Sequence, residues 1–189
     1  MDHTQKDERL RERLLPEIDA FKHSRQTLQL ATRDSDGIPN ASYSPFALTE
    51  AGFYILVSDI ARHGKNLKDS SQVSVMLLED ESEAKTVFAR RRLTFDVTAE
   101  AIARDSAEFE AGVNALAQRF GDMPKGLAQL ADFNLYRLTP KQGLYVKGFG
   151  QAFALSGSEL LDIQWQKDGH RGDSSKLESS VSAAAPARP

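Results

Sequence analysis

Leu10, Leu14, Ile18 and Phe21 recur at spacings of four, four and three, with charged residues between them. That period predicts an amphipathic helix over residues 5–24 with one apolar stripe. Pro16 lies inside it and is expected to kink or divide it, because proline removes a helical donor. From Thr27 the period shortens to two. TLQLAT alternates, Asp36-Gly37 and Pro39-Asn40 supply turn chemistry, and ASYSPFAL reads as a second strand. FYILVS and QVSVMLLE are apolar runs suited to covered strands, under either a partner subunit or an ordinary monomer core. IARHGKNL between them predicts one or two helical turns.

Residues 87–102 form the longest alternating stretch, with Leu93, Phe95, Val97, Ala99 and Ala101 on one face. A helix near 105–120 follows, carrying Phe109, Val113, Leu116 and Phe120 on one side and ended by Gly121. FNLYRL and GLYVKGFGQAFAL return to strand composition, and Gly148 and Gly150 mark a bend or bulge. Ser156-Gly157-Ser158-Glu159 fits a capping box opening a short last helix with Leu160, Leu161, Ile163 and Trp165. The Ser-, Ala- and Pro-rich residues 173–189 lack aromatics and read as a disordered tail after a single domain spanning 1–172. Six or seven strands with helices at the start, late middle and end predict an α+β fold on a small split β-barrel.

Composition narrows the chemistry. The chain has 189 residues and a net charge of −3, which gives no reason to expect a nucleic-acid partner. It has no cysteine, which excludes disulfides, thiolate-held zinc, iron–sulfur clusters and a cysteine nucleophile. The charged N-terminus and the lack of a long apolar run predict a cytoplasmic protein without membrane attachment. Phosphate-cradling glycine motifs, a nucleophile elbow and a His-Glu-x-x-His helix are all missing.

A thin set of polar candidates is left. His170 stands in Asp168-Gly169-His170-Arg171-Gly172, where a surface role is the ordinary reading. His63 has Arg62 and Lys65 beside it, as at an anion site or at a solvated helix start. His3 and His23 on the first helix need no function. Arg90, Arg91 and Arg92 read either as a basic edge strand or as a cationic rim for phosphates and carboxylates. Asp132, between a late helical segment and a strand, reads by composition as a solvated turn residue.

Taken together, TLQLAT, PNASYSPF, SDIARHGKNL, EDESEAKTVFARRRLTFD, LADFNLYRL, QGLYVKGFGQAF and the late Gly-His resemble the HutZ/HugZ family of haem-utilisation proteins. The stretches run in order from about residue 8 to residue 172. The resemblance implies a homodimeric split barrel of the pyridoxamine-phosphate-oxidase superfamily, with haem at the subunit interface in place of flavin. It implies that His170 ligates the iron, and that Asp132 hydrogen-bonds that histidine across the interface. Arg92 then lies on the opposite side of the haem, facing bound oxygen or a propionate, and His63 supports the interface. The implied activity is haem degradation with oxygen and an external electron donor, with a haem-delivering chaperone as a partner. A haem carrier is the alternative from another class. A flavin oxidoreductase using FMN, with Arg62, Lys65 and Arg90 near its phosphate, is the third.

Overall fold

The computed structural model describes residues 3–156 and 162–165. Its helices are α1 (His3–Ser24), α2 (Arg62–Asp69), α3 (Ala107–Phe120) and α4 (Met123–Ala128). The strands are β1 (Thr27–Arg33), β2 (Pro39–Pro45), β3 (Ala47–Thr49), β4 (Gly52–Ser58), β5 (Gln72–Leu78), β6 (Arg92–Ala101), β7 (Phe133–Gly148), β8 (Gln151–Ser156) and β9 (Asp162–Trp165). They form one antiparallel sheet in the order β2-β1-β5-β6-β7-β4-β3, with β8 on the second half of β7 and β9 on β8. The sheet curls around a shared core but does not close, since no described pairing joins β2 to β3.

The stripe on α1 does what its spacing requires. Leu14, Ile18 and Phe21 are buried in the core with Leu28, Leu30, Phe53, Phe95 and Tyr145. Full burial of such side chains contributes roughly 2 kcal/mol each. The expected break at Pro16 does not occur; α1 is one helix, with Pro16 on its exposed side. Glu17, one residue on, accepts the Tyr145 hydroxyl at 2.8 Å and pairs with Lys147 at 2.6 Å. Burial alone would raise the Glu17 pKa, but the hydrogen bonds from Lys147 and Tyr145 outweigh it and hold the carboxyl below its ordinary value.

A second cluster lies behind β4 and β7, where Phe109, Val113 and Leu116 of α3 cover Tyr54 and Leu135. The close approach depends on Gly112, whose Cβ would stand 2.7 Å from the Leu135 side chain. The outer face of β4 is therefore covered within this chain. That of β5 is only half-buried at Ser74, Met76 and Leu78. Ser106 caps α3 by accepting from the Phe109 N–H at 3.1 Å, and Gly121 ends it with φ at 75°.

Four expectations are corrected. The long strand starts at Arg92, not residue 87, because Thr86 caps a 3-10 turn over Val87–Ala89. β6 lies between β5 and β7, so the arginines do not protect a sheet edge. FNLYRL and GLYV belong to the single strand β7, which carries Pro140 at the register shift opposite Asp96 and Val97. Proline is tolerated there because a bulge leaves a ladder position unpaired. Of the expected last helix, the described residues Asp162–Trp165 form strand β9 instead, with Ile163 buried opposite Leu155, and residues 157–161 lie outside the described residues. A four-residue segment, Asp-Ile-Gln-Trp, has too little length for periodicity to separate helix from strand, and pairing with the edge of β8 decides it. Leu160, Leu161, His170 and the tail from 173 lie outside the described residues.

Candidate functional site

β4 and β7 pair in register so that Ser58 stands opposite Phe133, which brings the end of β4 beside Asp132. The Asp132 carbonyl accepts from the Asp59 N–H at 2.8 Å, and its carboxylate Oδ2 accepts from the Ser58 hydroxyl at 2.6 Å. Arg104 clamps the approach to this point. It donates to the carbonyls of Ala128 and Leu130, each at 2.6 Å, and to that of Phe133. Asp59 is occupied, accepting from Asn134 at 2.8 Å and pairing with Lys68 at 2.5 Å. Asp132 is half-buried, and among the described residues it has no cationic partner and no donor on Oδ1. A partly desolvated carboxylate in that state favours one more N–H donor.

α2 rests on the same corner. Gly64 lies so close to β4 that a Cβ there would stand 2.1 Å from the Ser58 carbonyl oxygen. Asn66 is buried and donates to the Thr32 hydroxyl at 2.9 Å, tying α2 to β1. His63 is half-buried on this helix, and burial lowers its pKa, which favours the neutral imidazole. Ile60, 77% exposed, and Leu130, 48% exposed, flank the corner in sequence and leave apolar surface around it.

The three arginines separate clearly. Arg90 donates to the Glu79 carbonyl and to Glu81, the latter at 3.1 Å. Arg91 pairs with Glu79 at 2.7 Å and lies over the Phe21 ring. Arg92, exposed on β6 opposite Leu78 and Val146, has neither an acidic partner nor a side-chain hydrogen bond among the described residues. Val87 and Phe88, 61% and 82% exposed, precede it.

Arg92 and Asp132 do not meet within one chain. Arg92 pairs near the end of β7 at Val146, whereas Asp132 precedes its first residue, Phe133. Thirteen steps along β7 separate Phe133 from Val146, roughly 40 Å of contour at about 3.3 Å per residue. A second region, an open cleft of about 930 Å³ lined by Lys22, His23, Phe53 and Pro140, holds none of the candidates. Lys22 and His23 there both face Asp19, at 3.1 and 3.4 Å. No group of three or more His, Asp or Glu residues that could hold a metal ion is found among the described residues.

The curled antiparallel sheet with its covering helices is shared with known proteins. The profile of the Pyridoxamine 5'-phosphate oxidase family matches residues 14–147. The sequence is 52% identical over 171 residues to heme oxygenase HutZ of Vibrio cholerae, covering 90% of this chain and 97% of that protein. The chain belongs to the HutZ/HugZ family. In structure it is similar to HutZ of Vibrio cholerae, described there as a heme storage protein, with a TM-score of 0.68, 71% of this chain and 95% of that chain covered. It is also similar to Campylobacter jejuni ChuZ, at 30% identity and a TM-score of 0.76, covering 85% of this chain and 65% of that one. A heme binding protein from Mycobacterium smegmatis matches at 25% identity and a TM-score of 0.66, over 75% of this chain and 57% of that one.

Within this family Asp132 belongs to the DFNLYRL segment, Arg92 precedes LTFD, and His63 stands in IARHGKNL. Ser58 and Arg104, which fix Asp132, were not among the candidates read from sequence. Nothing local marks them: each acts through a residue brought near by the pairing of β4 with β7 or by the packing of α4. Among the described residues no helix is long and apolar enough to cross a membrane.

Proposed function

We propose that this protein binds haem at the interface of a homodimer and opens the macrocycle with oxygen and electrons from an external donor, freeing iron for use in the cytoplasm. The observation that carries the reading is the pattern of charge pairing. Arg90, Arg91 and Asp59 are all paired, while Arg92 and Asp132 have no ionic partners among the described residues. Likeness at 52% identity to a protein named heme oxygenase directs those two groups toward haem.

The residues present fit that group. Porphyrin needs apolar cover, which Ile60, Leu130, Val87 and Phe88 offer at the two ends of the sheet. Its iron takes a neutral imidazole, here assigned to His170, whose other ring nitrogen is held by a carboxylate. Asp132 would be that carboxylate: its Oδ1, which has no donor among the described residues, would orient the ligand and increase its donation to iron. Arg92 supplies a fixed positive charge on the other side, to oxygen or to a propionate. His63, on a helix seated against the Asp132 corner, is assigned a supporting role at the interface. Bound haem supplies the iron that activates oxygen and is itself the substrate consumed.

The homodimer is supported by the same geometry: Arg92 and Asp132 stand at opposite ends of β7, so a haem held by both is assigned one from each protomer. The half-buried outer face of β5, next to Arg92, suits a partner surface. A chaperone that delivers haem is assigned as a further partner by the same family relation.

The flavin reading is weaker on a specific point. Of the three cations suited to a flavin phosphate, Arg62 is paired with Asp34 at 2.9 Å and Arg90 is held by Glu79 and Glu81. Lys65 alone has no acidic partner among the described residues.

Haem titration tests the binding half of this reading. Wild-type protein is expected to give a saturable Soret complex with one haem per protomer, and His170→Ala to lose the low-spin or five-coordinate histidine spectrum and bind far more weakly. Equal spectra for the two proteins would remove His170 from the iron.

A further inference from the structure

We infer that Ser58 is a positioning residue for the iron ligand, acting through Asp132 by fixing which carboxylate oxygen is offered and how strongly it accepts. The inference rests on the haem reading above and adds a residue to it.

The direction of the Ser58 hydroxyl is determined by its neighbours. Its oxygen accepts the Ile60 N–H at 3.1 Å, and it stands 2.6 Å from Asp132 Oδ2. A serine has one proton to give, and a carboxylate accepts but does not donate. The Ser58 proton therefore points at Asp132. Oδ2 is occupied, and Oδ1 is the oxygen left for an outside donor.

The carboxylate cannot readily turn to offer the other oxygen. Its backbone is pinned by the Asp59 N–H at 2.8 Å and by the pairing of Ser58 with Phe133. Arg104 holds the carbonyls on either side, those of Leu130 and Phe133. Neighbouring charges do not compete for it, since Lys68 is engaged by Asp59. The Ser58 hydrogen bond also draws charge toward Oδ2, so Oδ1 accepts less strongly than a bare carboxylate oxygen would. A carboxylate without Ser58 pulls harder on the imidazole proton and gives the ligand more anionic character.

Resonance Raman spectra of the ferrous haem-loaded protein read this directly, because the iron–histidine stretch follows ligand anionic character. In Ser58→Ala the stretch is expected to rise and the haem midpoint potential to fall. Ser58→Thr, which keeps the hydroxyl, returns both to wild-type values. Ser58→Cys, similar in size but a weak donor, shifts both in the same direction by less. In an Asp132→Asn background, Ser58→Ala is expected to move neither. An unmoved stretch in Ser58→Ala, or the same shift with Asp132→Asn already present, overturns the role of Ser58 and leaves the haem reading standing. Failure of the wild-type protein to form a histidine-ligated complex overturns both.

Discussion

A mixed dimer carrying Arg92→Ala in one protomer and Asp132→Ala in the other is expected to recover about half the wild-type rate of haem loss. The Asp132→Ala homodimer should run roughly ten to a hundred times more slowly, the usual cost of removing an outer partner of a metal ligand, and the Arg92→Ala homodimer is expected to be slowed as well. The reason is topological. Arg92 opens β6 opposite Val146, and Asp132 precedes Phe133 at the far end of β7. In the proposed homodimer, a site that needs both takes one from each chain. In the mixed dimer one of the two sites loses both groups, and the other keeps both. Two differently tagged chains, coexpressed and purified through both tags, give the required species. A mixed dimer no faster than the better homodimer would mean that each site draws both residues from a single chain, and the composite interface would be abandoned.

The second large effect is on stability. Gly64→Val is expected to lower the unfolding free energy by about 3 kcal/mol, at the upper end of the usual cost of overpacking. For a chain of this size that lowers Tm by roughly 6–12 °C. Real Cβ atoms do not approach within 3.0 Å of other heavy atoms, and this one would stand 2.1 Å from the Ser58 carbonyl oxygen. The obstacle is backbone, so it cannot swing aside as a side chain would. α2 must lift from β4, and the buried hydrogen bond from Asn66 to Thr32 is strained as it does. Gly126→Ala is the control: it lies within α4, nothing would stand within 4 Å of its Cβ, and the change is expected to stabilise by about 0.5–1 kcal/mol. Thermal unfolding followed by circular dichroism separates them. Equal Tm values for Gly64→Val and wild type would show that α2 is not seated on β4 as described.

These two sites illustrate what a sequence can disclose. The stripe of α1 and the apolar face of α3 were legible because a helix writes its buried face into local spacing. Leu14, Ile18, Val113 and Leu116 are all buried as that spacing requires. The bend at Gly148 and Gly150 was legible for a similar reason: Gly150 has φ at 68°, which few other residues adopt. β9 was not legible, since four residues fix no period and the decision lies with the distant edge of β8. The continuity of β7 through Pro140 was hidden as well, because the bulge that accommodates proline belongs to the pairing with β6.

The candidate site divides along the same line. By composition Asp132 is an ordinary turn residue, and family resemblance alone singled it out. The structure adds the physical content, with Oδ2 held by Ser58 and the neighbouring Asp59 occupied by Lys68. The run Arg90-Arg91-Arg92 looks uniform in sequence, yet Glu79 and Glu81 engage the first two and leave the third. Such sorting depends on acidic residues from the segment that follows β5, which no local pattern reports.

HutZ of Vibrio cholerae carries two descriptions, heme oxygenase and heme storage protein, and the function proposed for this chain is the first. A store and an oxygenase share a need for apolar cover and a histidine ligand. They differ in whether the bound haem survives a supply of electrons.

One single-turnover measurement decides this most directly. Haem-loaded protein is mixed with ascorbate in air-saturated buffer containing catalase, and the Soret band and chelatable iron are followed together. The band is expected to disappear, a ring-opened tetrapyrrole to form, and iron to be released in an amount equal to the haem lost. An undiminished Soret band, with the haem afterwards transferred intact to apomyoglobin, would contradict the proposed function and make the protein a haem store.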